Sequence, residues 1–204
     1  MPQLAQFDPL HLSALVASRI CHDLISPIGA IGNGVELMLM DSTGTTGQEM
    51  ALILESTGAA NARIRFFRVA FGLCGPDQRI GRHEVGTILD DMTTGSRVQV
   101  VLDSPNDLTR REVKLVFLGL LCLEGALPQG GSVTLTMNSQ GWHLAAHAVR
   151  LRVDADLWAG LANPDLFADI TPGQVHFPLL ALEAARQHRR LTFTQSETEL
   201  HLTF

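Results

Sequence analysis

Ser18–Met38 reads SRICHDLISPIGAIGNGVELM, and the order of polar, small and apolar residues in it decides the fold. At 100° per residue, Ser18, Ser26, Gly29, Asn33 and Glu36 fall within about 40° of His22 on a helix. Ala17, Ile20, Leu24, Ile28, Ile31, Val35 and Met38 collect on the other side. His22 therefore sits at the centre of a polar, small-residue stripe that faces away from the core, open to an incoming macromolecule. Gly29, Gly32 and Gly34 each cost about 1 kcal/mol relative to alanine inside a helix. Three of them so close together imply close approach of another backbone.

Pro27 has no N–H for the carbonyl of Asp23, and its ring crowds that carbonyl, so a bend is expected just past the histidine. Asp23 follows His22 directly. A carboxylate there hydrogen-bonds one imidazole nitrogen, fixes the tautomer and leaves the other nitrogen nucleophilic. An unperturbed imidazole, with a pKa of ~6.5, is largely neutral near neutral pH.

Outward from this stretch, Asp8-Pro9 reads as a cap with proline at the first helical position, and the helix runs to about Met40. Asp41-Ser-Thr-Gly-Thr-Thr-Gly47 is a turn. A second helix is expected from Gln48 to Leu73, with Met50, Ile53, Leu54, Ala60, Ile64, Phe67 and Phe71 on its apolar face. Gly72, Gly75 and Pro76 close it. If the turn centres near Gly44, position 22 lies opposite about position 66. Arg63, Arg65 and Arg68 then flank the level of His22, to attract an acidic partner or to pair with Asp23. Two helices cannot bury a broad apolar surface alone, so a homodimeric four-helix bundle is expected.

From Gln78 the pattern becomes mixed. Helices are expected at Arg82–Thr93, Thr109–Leu127, Asp156–Leu161 and Val175–Gln187. Strands are expected at Arg97–Leu102, Ser132–Met137, Trp142–Val149, Leu191–Thr194 and Glu199–Phe204, the middle two forming a hairpin. The fold class is α+β, divided near Gly75–Arg79 into residues 1–76, a dimerisation hairpin, and residues 77–204, an α/β domain.

Composition narrows the partners. The chain has 204 residues, 15 Lys+Arg against 21 Asp+Glu, and a net charge of -6, which argues against nucleic acid and anionic membrane as partners. Lys114 is the single lysine. Cys21, Cys74 and Cys122 form no C-x-x-C pair, and Cys21 reads as a small packed residue rather than a ligand, so no metal is expected. No signal sequence is read, and no apolar run approaches the ~18–20 residues that span a bilayer, so a cytoplasmic location is expected.

His22-Asp23-Leu24 followed by Ser26-Pro27 resembles the phosphoacceptor box of histidine kinases. The fuller match, HDLISPIGAIGNGVELM with RIRFFRVAFG at Arg63–Gly72, resembles the ChpT-type histidine phosphotransferases of bacterial cell-cycle phosphorelays. The resemblance implies a homodimer whose bundle exposes one histidine per protomer. That histidine is phosphorylated by the receiver domain of a hybrid histidine kinase and discharged to response-regulator receivers. It also implies that residues 77–204 are a degenerate histidine-kinase ATPase domain.

The residues fit that last implication. Leu121 and Gly125 stand where metal-binding asparagines are needed, no D-x-G-x-G occurs, and the glycine lid before the final strands is missing. The expected roles are then His22 and Asp23 in catalysis, and Ser26, Gly29, Asn33, Arg63 and Arg68 in partner docking. No cofactor is expected, magnesium belonging to the receiver. Two other classes stay open: a dimeric adaptor that docks receivers without chemistry, and an ATP-dependent histidine kinase fragment. Bound nucleotide would reveal the second.

Overall fold

The computed structural model describes residues 8–40 and 47–204. The expected turn from Asp41 falls outside the described residues except for Gly47. Helix α1 (Pro9–Met40) is unbroken, with Pro27 inside it and buried. Its first turn is capped as expected, the Leu10 N–H donating to Asp8 Oδ1 at 3.0 Å. Helix α2 (Gly47–Ala70) returns against it. Gly34 of α1 faces Ile53 of α2. A Cβ on Gly34 would lie 2.7 Å from Ile53 Cγ1, so only glycine fits. That register sets residue 22 opposite about residue 65, close to the sequence expectation.

The close-approach argument holds for Gly34 alone, because a Cβ on Gly29 or Gly32 would meet nothing within 4 Å. Gly29→Ala is therefore expected to raise the stability of α1 by about 1 kcal/mol, read as a higher melting midpoint. An unchanged or lower midpoint would contradict the open-face description.

The apolar face of α2 also needs correction. Of the expected face, Ala60 and Phe67 are buried, but Met50, Leu54 and Ile64 are exposed, and Ser56, Ala62, Phe66, Val69 and Ala70 are buried as well. The C-terminal half of α2 packs on the other half of the molecule, and this second contact moves its buried side. On α1, likewise, Ala17, Ile28 and Val35 of the apolar side are exposed, while Ile20, Leu24, Ile31 and Met38 are partly buried.

The remaining elements are β1 (Arg79–Gly81), α3 (Arg82–Thr93), β2 (Val98–Asp103), β3 (Asp107–Thr109), α4 (Arg110–Gly125), β4 (Gly131–Asn138), β5 (Gly141–His147), α5 (Ala155–Ala162), α6 (His176–Arg186), β6 (Thr192–Gln195) and β7 (Glu199–Thr203). The short strands β1 and β3 pair with each other and escaped the sequence reading, since three residues carry no period. The main sheet has the order β2-β4-β5-β7-β6, with β2 parallel to β4 and the other pairs antiparallel.

Alternation along β4, β5 and β7 puts Val133, Leu135, Trp142, Leu144, Leu200 and Leu202 on one buried face. Helix α4 lies on that face, so close that a Cβ on Gly119 would fall 2.7 Å from Leu144 Cδ2. A capping box starts α4: the Glu112 N–H donates to Thr109 Oγ1 at 3.2 Å, and the Thr109 N–H to Glu112 Oε2 at 3.2 Å.

One hydrophobic core runs from the end of α2 into the sheet layer. Phe66 stacks on Phe117 of α4 with ring centroids 4.5 Å apart. Two cations of α4 close the end of α2: Arg110 Nη2 donates to Arg68 O at 2.7 Å and Lys114 Nζ to Gly72 O at 3.0 Å. They satisfy carbonyls that a helix end leaves bare and lie favourably at the negative end of its dipole. The single lysine is thus a structural clamp, with Glu183 of α6 3.6 Å away on its other side.

The expected absence of an apolar run near spanning length needs one qualification, in α1. Its 32 residues hold an 18-residue window of mean hydropathy 1.3, long and apolar enough by length and composition to cross a membrane. Ser26, Pro27, Gly29 and Gly32 interrupt the large apolar residues without lowering that average much.

Candidate functional site

Ser18, His22, Ser26, Gly29, Asn33 and Glu36 are all exposed along one side of α1, as the helical projection requires. The His22 side chain is 83% exposed. Its Nδ1 lies 3.0 Å from Asp23 Oδ1. With the proton on Nδ1 donating to that carboxylate, the Nε2 lone pair points away from the carboxylate.

Asp23 is held by Arg19 rather than by the arginines of α2. Arg19 Nε donates to Asp23 Oδ2 at 2.6 Å, and Arg19 Nη1 donates to the carbonyl of Gly173 at 2.9 Å. Asp23 and Arg19 are largely covered, with side chains 17% and 21% exposed. The expected pairing of Asp23 with Arg63, Arg65 or Arg68 is corrected accordingly. Arg65 pairs with Asp91 of α3 at 3.0 Å, Arg63 turns back to the Ala59 carbonyl at 3.4 Å, and Arg68 is exposed on the last turn of α2. The i, i+4 spacing of Arg19 and Asp23 was a legible signal for this pair. The Gly173 carbonyl was not, lying 154 residues from Arg19. Cys21, read as packed, is exposed with a free thiol.

Two further titratable groups stand behind the pair. Burial pushes the Glu124 carboxyl up to about 7, against the pull of Arg19. Burial, with Arg19 adding to it and Asp23 opposing, pushes the His176 imidazole down to about 3. Among the described residues neither ring nitrogen of His176 has a hydrogen-bond partner. His176 stays neutral in the folded chain while an unfolded chain takes up a proton near pH 6.5, so stability is present above that pH and lost as pH falls toward 3. Glu124 has the opposite sign, its contribution being full below 4.5 and lost as pH rises through 7. His176→Phe, which puts an apolar ring beside Phe177, is expected to raise the melting midpoint at about pH 5 more than at about pH 8. Equal shifts at both values would sink this assignment.

Among the described residues no group of three or more His, Cys, Asp or Glu is placed to hold a metal ion.

A helical hairpin that exposes a carboxylate-backed histidine, packed on an α/β layer, defines the class. Residues 82–199 match the family described as histidine phosphotransferase C-terminal domain, and the chain belongs to that family. It is similar to the protein phosphotransferase ChpT of Brucella abortus, 37% identical over 130 residues, which are 63% of this chain. The matched region spans 61% of that relative's own length. A solved bacterial phosphotransferase aligns over 97% of both chains at 27% identity with a TM-score of 0.81. The Acinetobacter baumannii histidine kinase AdeS aligns over 90% of this chain and 96% of its own, at 12% identity and a TM-score of 0.45.

Proposed function

We propose that the protein is a histidine phosphotransferase of a two-component phosphorelay, carrying a phosphoryl group on Nε2 of His22 between receiver-domain aspartates. The observation that carries this reading is the imidazole, 83% exposed, with Nδ1 on the Asp23 carboxylate. Membership of the phosphotransferase family supports it.

In the forward step the Nε2 lone pair attacks the phosphorus of a phosphoaspartate. The Nε2–P bond forms as the acyl P–O bond breaks, and its electron pair leaves on the receiver's carboxylate. The proton stays on Nδ1, so the positive charge that develops on the ring faces Asp23. Positioning and charge neutralisation carry most of such a transfer. Magnesium belongs to the receiver, and this chain needs no cofactor or ATP.

Ser26, Gly29 and Asn33 form the docking surface around His22. The open space over Gly29 and Gly32 lets a receiver approach the helix closely. Arg63 and Arg68 supply positive charge at the edge of that surface.

Ile25, Ile28, Val35, Leu39, Leu54 and Ile64 are between 44% and 82% exposed, an apolar surface shared by both helices of the hairpin. A second copy covers it, giving a four-helix bundle with one site per protomer, in the cytoplasm. Residues 1–76 are the dimerisation and transfer unit, and residues 77–204 the degenerate ATPase-like unit behind it.

The test is incubation with a panel of phosphorylated receiver domains, followed by mapping of the phosphohistidine, with light scattering for the dimer. Label on Nε2 of His22 is expected. Label on Nδ1, or on another histidine, would contradict the mechanism.

A further inference from the structure

We propose that Arg19, anchored on the Gly173 carbonyl, is a positioning residue that holds the Asp23 carboxylate against Nδ1 of His22 and so keeps Nε2 as the free nitrogen. This deepens the phosphotransferase reading and rests on it for its functional consequence, though not for its structural one.

Adjacent residues on a helix point about 100° apart and do not normally face each other. Asp23 nevertheless reaches the ring of His22, its immediate predecessor, at 3.0 Å. Something must hold that carboxylate turned toward the start of the helix. Arg19, one turn earlier, takes Oδ2 at 2.6 Å and leaves Oδ1 for the imidazole.

Arg19 is itself held by a second bond, from Nη1 to Gly173 O at 2.9 Å. Gly173 lies in the single turn just before α6, in the half of the chain that carries no transfer chemistry. A guanidinium presents donors in a fixed fork, so occupation of Nη1 fixes the direction of Nε. The guanidinium and the carboxylate are both mostly covered, which limits competition from water. Glu124 also feels Arg19, but burial raises its carboxyl to about 7, and the ion pair that Arg19 makes is with Asp23. The α/β half thus reaches the reactive imidazole through one arginine.

The test uses the full-length protein. Nitrogen-15 shifts of the imidazole report the tautomer of His22 without any phosphoryl transfer. The wild type is expected to show Nδ1–H and Arg19→Ala a mixture of tautomers. Transfer from a phosphorylated receiver is expected to fall at least about tenfold, in kcat more than in KM. Arg19→Lys keeps the charge but not the fork, and is expected to recover part of both. Should Arg19→Ala fail to fold, Arg19→Gln keeps a neutral donor, and a mixed tautomer in that folded variant supports the proposal. A wild-type tautomer ratio in a folded Arg19→Ala or Arg19→Gln variant overturns it. If the phosphoacceptor reading itself is wrong, His22→Ala retains label while the tautomer result stands unchanged, so the two failures are distinguishable.

Discussion

His22→Ala is expected to remove acid-labile, alkali-stable labelling by a phosphorylated receiver, a loss of at least about 10³-fold. The step needs an unprotonated nitrogen that an incoming phosphoaspartate can reach in line, and alanine leaves none on α1 near the docking stripe. Of the other histidines, His11, His83, His147 and His188 are also exposed but lie away from that stripe in sequence, and three are enclosed or paired. His176 is buried, and His143 stacks against His201 on the sheet with ring centroids 5.2 Å apart. The substitution should leave the fold intact, because the side chain is 83% exposed and Asp23, its hydrogen-bond partner, keeps its bond to Arg19. Radiolabel transfer and circular dichroism on one preparation separate lost chemistry from lost structure. A folded variant that still takes up label would end the phosphoacceptor assignment. One that loses label but keeps downstream output would favour the adaptor reading.

Phe117→Ala should produce the largest change in stability. Its ring is fully buried and stacks on Phe66 at 4.5 Å with planes 4° apart. Truncation removes that pair and opens a cavity where α2, α4 and the sheet layer meet. The cost is about 3–5 kcal/mol, a large part of the roughly 5–15 kcal/mol that holds a domain folded. For a chain of this size the melting midpoint should fall by roughly 6–20 °C. Phe66 belongs to the hairpin and Phe117 to the α/β half, so the loss is also expected to loosen the junction and broaden the transition. A fall of under about 2 °C would show that the two aromatic rings are not the joint that their geometry indicates.

The long helices were legible because their faces differ chemically and repeat. The span of α3 agrees with the sequence reading, and the strands of the main sheet fall within a residue or two of their expected positions. The family reading rested on two local patterns in fixed order, the stretch from His22 to Met38 and the stretch from Arg63 to Gly72. Contacts that depend on elements far apart in the chain were not legible. Arg63, Arg65 and Arg68 do reach the level of His22, but Asp91 draws Arg65 away. The buried face of α2 was misread in part because its last turns pack on α3 and α4 as well as on α1.

By itself, the sequence determined that one imidazole stands on an exposed helical stripe with a carboxylate beside it. Helical periodicity assigns faces without knowledge of any partner. It also determined the order of helices and strands, since alternation and turn residues act over a few positions. Only the tertiary structure decided what steadies that carboxylate, how the five strands are ordered, and which of three clustered glycines packs against a neighbour. Those outcomes depend on which distant segments meet in space, and in the case of Arg19 the deciding partner is a backbone carbonyl, a group that every residue carries and no sequence pattern marks.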